Sequence, residues 1–188
     1  MNLLFPVVER RLLWPMLGFT LAGGLYGGLY GTIHDLVTFT ISPEYFTRLK
    51  FHQFSWANVG LSSSFFAAEV GFVATAAVGL AAGWFLARTA LPRWSGRQAF
   101  QKMTAALTIV VGTGFLGGVT GWWLGLHHTA DYSQWQSLCE TLGVVDVPAF
   151  VRVAYIHNAG YLGGFAGLLL GIGWLKFCGR RLPEARGR

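Results

Sequence analysis

The chain has 188 residues, of which 53% are hydrophobic and only 12% are charged. An average soluble domain carries about 25% charged residues, so the composition argues against a soluble fold. The net charge of +6 does not require nucleic acid, because a basic rim that faces anionic lipid accounts for it. We therefore expect an all-α integral membrane protein whose partner is the lipid bilayer, with no nucleic-acid partner.

Four apolar stretches are long enough to cross a bilayer, which takes about 20 mostly apolar residues in a helix. The predicted spans are 12–33, 59–87, 103–126 and 150–177. They leave a first outer loop at 34–58, an inner loop at 88–102, a second outer loop at 127–149 and a tail at 178–188. The first span exceeds the roughly 7–15 apolar residues of a signal peptide and lacks an A-x-A-like site, so we interpret it as retained.

Basic residues are distributed unevenly about these spans. Eleven of the 14 lysines and arginines fall in the N-terminal stub, in the inner loop, or at and after the end of the fourth span. The positive-inside rule then predicts that both termini are cytoplasmic, in a bacterial-type inner membrane. All five histidines fall in or beside the segments expected to face outward: His34, His52, His127, His128 and His157.

Glycines recur every four residues in each span and indicate close helix packing. One series is Gly23, Gly27 and Gly31, followed by His34; the other is Gly117, Gly121 and Gly125, followed by His128. The offset between these two series is 94 residues, and Gly83-Trp84 precedes Gly173-Trp174 by 90. We interpret the chain as two tandem parallel hairpin repeats related by an axis along the membrane normal.

The first outer loop contains a helix start, with Ser42 as N-cap, Pro43 at the first position and Glu44 in the first turn. Aromatic and basic residues follow, which predicts a short amphipathic helix in the outer interface. We expect another short helix around 134–142 in the second outer loop.

Two ionisable residues lie inside predicted spans, where they are costly and usually face the bundle. Glu69 is 19 residues before Arg88, and His157 is 19 residues before Lys176. Each therefore lies about 28 Å above the inner charges, at a common depth in the outer part of the membrane.

The leading hypothesis is a metal site at this depth, in a small, redox-active membrane protein. Its ligands would be Glu69 and His157 with His34, His127 or His128, and Asp35 and Asp131 would orient the imidazoles. Imidazole and carboxylate suit zinc, iron or copper, and His34 with His128 would also suit the two axial positions of a haem.

Two alternatives remain open. Glu69 and His157 would serve as the relay or gate of a small channel or transporter, or the chain would be an accessory subunit of a membrane complex. A homo-oligomer or a larger assembly is expected because four short helices leave much surface for partners. No sequence motif indicates the substrate, the reaction or an enzyme class.

Overall fold

The structure, a computed structural model, describes residues 9–127 and 132–180. Four long helices dominate these ranges, and no β-strand occurs within them. They are α1 (Leu13–Ile41), α3 (Ser63–Ala90), α4 (Gly96–His127) and α6 (Val147–Arg180). Each of the four is long and apolar enough to cross a membrane, which confirms the predicted four-helix membrane architecture.

The first helix extends well beyond the predicted span and ends at Ile41 instead of residue 33. His34 and Asp35 therefore lie inside a helix and not in a loop. The Thr38 hydroxyl donates a hydrogen bond to the carbonyl oxygen of His34 at 3.0 Å. Phe39 packs against the apolar cluster at this end of the bundle. Tertiary contacts thus continue the helix through a polar dipeptide that a hydropathy argument treats as its end.

The segment after α1 folds back onto the bundle. A π-helical turn (Tyr45–Lys50) leads directly into a single α-helical turn, α2 (Phe51–Gln53). The Ser42 hydroxyl accepts a hydrogen bond from the backbone N–H of Tyr45 at 3.3 Å, as an N-cap residue does. Tyr45 and Phe46 are buried, so this segment packs its rings onto the helices.

The second loop carries a short helix, α5 (Gln136–Leu142), at the position expected from the sequence. Glu44 joins the two loops, because its carboxylate accepts hydrogen bonds from the backbone N–H groups of Val145 and Asp146 at 2.7–3.1 Å. These two residues directly precede α6, so the carboxylate also lies at the positive end of that helix.

Glycines bring the backbones of α1 and α3 into direct contact. A Cβ added at Gly23 would lie 2.6 Å from the carbonyl oxygen of Gly79, and one added at Gly27 would lie 2.7 Å from that of Thr75. The Thr75 hydroxyl donates a hydrogen bond across the interface to the carbonyl oxygen of Gly27 at 2.8 Å. Small residues are therefore a packing requirement along this interface.

The second hairpin, α4 with α6, packs in a closely related way. A Cβ at Gly117 would meet the carbonyl oxygen of Ala159, and one at Gly121 would meet that of Tyr155. In both hairpins the facing helices run antiparallel, because the contacts descend along one helix as they ascend along the other.

The two hairpins contact each other much less than their own helices do. An apolar cluster, which we call the inner apolar cluster, joins them at the end that carries the basic residues, and includes Met16, Leu86, Met103 and Leu175; we call this end the inner end and the opposite one the outer end. The outer apolar cluster joins them at the other end, and includes Phe46, Ala67, Phe150 and Val153. Between these clusters the hairpins are separated by a cavity.

Candidate functional site

A buried histidine–aspartate pair links α6 to α1 at the outer end of this cavity. His157 Nε2 lies 3.2 Å from Asp35 Oδ1, and only 3% of His157 and 4% of Asp35 is exposed. His157 Nδ1 lies 3.0 Å from the carbonyl oxygen of Val153, one helical turn earlier. The two contacts fix the imidazole ring at both of its nitrogens.

These hydrogen-bond partners restrict where the protons of the pair can lie. A carbonyl oxygen can only accept a hydrogen bond, so Nδ1 of His157 carries a proton. In a neutral imidazole, Nε2 is then an acceptor that faces the carboxylate of Asp35, which is also an acceptor. Two acceptors at 3.2 Å need a positive species between them, which is either a proton or a metal ion.

His34 completes a three-residue group. Its ring packs edge-to-face on that of His157, with centroids 4.9 Å apart. One donor atom each from His34, Asp35 and His157 lie within 4.8 Å of one another. Gly118 on α4 leaves space beside His34, since a Cβ there would lie 3.7 Å from the ring. We call these three residues the His–Asp–His site.

The segment after α1 covers the outer side of the site. The ring of Tyr45 lies 4.9 Å and that of Phe46 6.1 Å from the ring of His157. Burial raises the pKa of Tyr45, which keeps this phenol neutral at physiological pH. The Lys50 ammonium donates a hydrogen bond to the Tyr161 hydroxyl at 3.4 Å and lies 5.8–5.9 Å from three aromatic centroids. Rings therefore separate the site from the outer surface.

A cavity of about 610 Å³ extends from the site along the middle of the bundle. We call it the seam cavity, because residues of all four long helices line it between the two hairpins. His34, Asp35 and His157 lie at its polar end, with Tyr30 and Tyr161 near them. The rest of its wall consists mainly of glycine, alanine and valine. Its volume falls in the range of about 300–1,000 Å³ that is typical of small-molecule pockets.

The structure brings together only some of the residues predicted for the site. His34 and His157 converge as expected, but Asp35 occupies the position beside His157 that the sequence assigned to Glu69. Gly71 faces α1, where a Cβ would lie 2.8 Å from Cβ of Asp35. Glu69 is two residues earlier, which corresponds to about 200° around the helix, so it points to another side of α3. Its Oε2 is buried without a hydrogen-bond partner among the described residues.

The remaining predicted residues are not part of the group that the structure describes. His127 is exposed at the end of α4, and its Nδ1 lies 2.8 Å from the carbonyl oxygen of Trp123. His128 and Asp131 lie outside the described residues, so the predicted pairing of His34 with His128 lies there too.

Asp35 was predicted only to orient the imidazoles and Tyr30 was not predicted, although their positions on α1 indicate that they lie near the site. Asp35 continues the series Gly27 and Gly31 at intervals of four, and therefore shares the helix face that contacts α3. Tyr30 lies four residues before His34, and their ring centroids are 5.6 Å apart. Reading the glycine series through to its polar end would have identified Asp35 as an inward residue.

Comparison with known proteins does not extend this picture. The chain matches no protein-family model, no curated protein and no solved structure.

Proposed function

We propose that the chain is a membrane metalloprotein in which His34, Asp35 and His157 bind one transition-metal ion. The observation that carries this proposal is the contact of His157 Nε2 with Asp35 Oδ1 at 3.2 Å, with Nδ1 already bonded to a carbonyl oxygen. Metal-bound imidazoles commonly donate their other N–H to a carbonyl in this way, which orients the ligating nitrogen.

The donor set fits a metal with open coordination positions. Metal–ligand bonds of about 2.0–2.2 Å place neighbouring donors about 3–3.5 Å apart, and the two fixed donors already have this separation. His34 offers a third donor atom within 4.8 Å of the other two, and it would have to move closer to bind the same ion. Two histidines and one carboxylate are the ligands of non-haem iron(II) centres and of several catalytic zinc sites. The open positions would face the seam cavity.

A haem does not fit between His34 and His157. The rings of His34 and His157 touch edge-to-face, with centroids 4.9 Å apart, and this leaves no space for a macrocycle. The proposal is therefore for a single ion. Oxidation–reduction chemistry would follow if that ion is iron or copper, whereas zinc would act as a Lewis acid.

The finer topology belongs to the same proposal. Arg88, Lys102 and Lys176 lie near one common end of their helices, and Arg93 lies in the turn between α3 and α4; this distribution supports cytoplasmic termini in a bacterial-type inner membrane. The rings that follow α1 support a helical segment at the outer interface. We also propose that the chain forms a homo-oligomer or joins a larger membrane complex, because four short helices leave much surface for partners.

The helix contacts support the tandem repeat, with one change in its register. Gly23 and Gly27 contact Gly79 and Thr75 in the first hairpin, and the equivalent contacts of the second are Gly117 with Ala159 and Gly121 with Tyr155. The offset between the hairpins is 94 residues in the first helix and 80 in the second, instead of the 90 inferred from Gly83 and Gly173. In this register His157 corresponds to position 77 and not to Glu69, so the His–Asp–His site has no second copy at that position.

The test measures metal content. The full chain is purified in mild detergent, its metals are quantified by mass spectrometry, and chelator-stripped protein is titrated with Fe(II), Zn(II) and Co(II). We expect about one ion per chain, and we expect Co(II) to give visible d–d bands from a site with nitrogen and oxygen ligands. His34→Ala and His157→Ala should lose the ion, whereas His52→Ala and His127→Ala are matched controls at exposed histidines and should retain it.

Two results would contradict the proposal. One is a protein that is metal-free when purified and cannot be loaded with any of the three ions. The other is full metal content in both site variants. If either occurs and the wild-type protein instead conducts ions in liposomes, the channel or transporter alternative gains support, with the seam cavity as the path and Asp35, not Glu69, beside His157.

A further inference from the structure

The seam cavity opens towards the membrane at the middle of the bundle. Tyr26, Val78 and Phe165 line it and are 39%, 50% and 62% exposed. Each of the three lies within two residues of the midpoint of its helix. Since the spans cross the bilayer, these exposed walls face the hydrocarbon region. A ligand would therefore enter from the lipid and not from water.

The cavity has the shape of a slot. Its lining on α1 extends from Gly23 to Asp35, which is 12 residues, or about 18 Å at 1.5 Å per residue. A volume of about 610 Å³ over this length gives a mean cross-section of about 34 Å². An elongated slot of this size accommodates a flat ring or a branched chain along its length.

Polar and apolar groups are segregated along the slot. Tyr30, Tyr161 and the His–Asp–His site line the outer end, and the Tyr161 hydroxyl accepts a hydrogen bond from Lys50. The other walls are mostly glycine, alanine, valine and leucine with the rings of Tyr26 and Phe165, and the hydroxyl of Thr75 there is bonded to backbone carbonyl oxygens. Hydroxyl and imidazole groups can donate to a carbonyl or accept from a hydroxyl, and the aromatic walls favour offset or edge-on packing of a ring.

We propose that the seam cavity binds a lipid quinone or quinol, with its ring at the His–Asp–His site and its apolar chain extending towards the lipid. This inference rests on the proposed function in that the metal site forms the polar end of the slot. A ring with carbonyl or hydroxyl groups is uncharged and soluble in hydrocarbon, which matches entry at mid-membrane. A charged amphiphile is disfavoured because its head group would have to cross the hydrocarbon region to reach the opening.

The test uses a variant that fills the slot without disturbing the helices. Gly164 lines the cavity, and a Cβ added there would meet no atom within 4 Å. Gly173 lies on the same helix with equally open space but does not line the cavity. Gly164→Leu is therefore the test variant and Gly173→Leu is its matched control.

Binding of decylbenzoquinone is measured by calorimetry on the full chain in quinone-free nanodiscs, with empty nanodiscs as the reference for partitioning. We expect saturable binding by wild type and by Gly173→Leu, and an affinity about tenfold lower or worse for Gly164→Leu. Tyr30→Phe should weaken binding about threefold to tenfold, because it removes one hydroxyl from the polar end. The metal content of all three variants is measured in parallel and should equal that of wild type.

These two measurements separate this inference from the proposed function. Saturable quinone binding without any metal would leave the ligand assignment intact and remove the metal. Normal metal content without saturable quinone binding would leave the metal site intact and remove the quinone. Equal affinities for decylbenzoquinone and decanol, or equal quinone affinities for Gly164→Leu and Gly173→Leu, would overturn the assignment of a quinone to the slot.

Discussion

Replacing Asp35 tests the central argument about the His–Asp–His site. In wild type, His157 Nε2 faces an Asp35 carboxylate oxygen at 3.2 Å while Nδ1 is bound to Val153. Asp35→Asn puts an amide of nearly the same shape in this position. The amide N–H can donate to Nε2 of a neutral His157, so no proton or metal ion is needed between the two residues. Asp35→Ala leaves Nε2 buried without a partner.

The two variants should therefore differ in stability and agree in metal binding. Leaving a buried acceptor unpaired costs about 1–3 kcal/mol, and we expect this loss for Asp35→Ala. Asp35→Asn should unfold within about 1 kcal/mol of the metal-free wild type. Both should bind metal more than about 100-fold more weakly, since even partners one shell further out contribute 10–100-fold.

The assay combines unfolding in mixed micelles, followed by circular dichroism, with titration of Co(II) and Zn(II) into the folded protein. Metal affinity that is unchanged in Asp35→Asn would remove the carboxylate from the ligand set. If Asp35→Asn is as unstable as Asp35→Ala, then an imidazolium–carboxylate pair stabilises the native protein. In that case a proton lies between the two residues in the metal-free protein, and the titration alone decides whether a metal ion can replace it.

Three further predictions concern other parts of the fold. Glu44→Gln should destabilise the protein by about 1–3 kcal/mol in the same unfolding assay, since it weakens the charged hydrogen bonds at the start of α6. Unchanged stability would show that these hydrogen bonds do not hold the two loops together. Gly31→Ala should lower the free energy of unfolding by about 1–3 kcal/mol, because its Cβ would overlap the Thr75 side chain and a backbone carbonyl. Its control, Gly18→Ala, lies in open space and should be neutral or slightly stabilising. Equal unfolding midpoints for the two variants would refute the close packing. Burial and, secondarily, the Glu44 carboxylate raise the pKa of the Cys139 thiol. Less thiolate is therefore present at pH 8 than in an unfolded chain. In a Cys178→Ser background, iodoacetamide should alkylate Cys139 more slowly in the folded protein than in the unfolded one. Glu44→Gln should speed that reaction, and an unchanged rate would exclude the electrostatic contribution.

The sequence predicts the membrane architecture well because its signal is strong and local. Twenty apolar residues in a helix need a bilayer or an equivalent environment whatever their neighbours are. The Ser42 cap and the helix α5 follow from short-range chemistry in the same way. The bounds of α1 were less accurate, since the packing of Phe39 on the outer apolar cluster and a hydrogen bond within the helix from Thr38 to His34 extend it past Asp35.

The sequence indicated the level of the bundle at which the candidate site lies, but not which side chains form it. Counting residues from the basic ends placed His34 and His157 near one level, and the structure brings their ring centroids to 4.9 Å. The direction of a side chain depends on the rotation of each helix, which only the packing against its partner sets. The Gly31–Gly71 contact places Asp35 between α1 and α3, whereas Glu69 lies about 200° around α3 from Gly71. A periodicity argument that had included Asp35 in the glycine series would have supplied this rotation for α1.

The uneven distribution of helix contacts bears on how the protein is made. Each hairpin completes its tightest packing within one continuous stretch, and the first hairpin ends at Ala90, before α4 begins at Gly96. The first pair of helices can therefore insert and associate while the second is still being synthesised, and the two apolar clusters join the finished pairs afterwards. A chain severed between Ser95 and Gly96 should then reassemble from its two halves, with the cavity forming only at that last step.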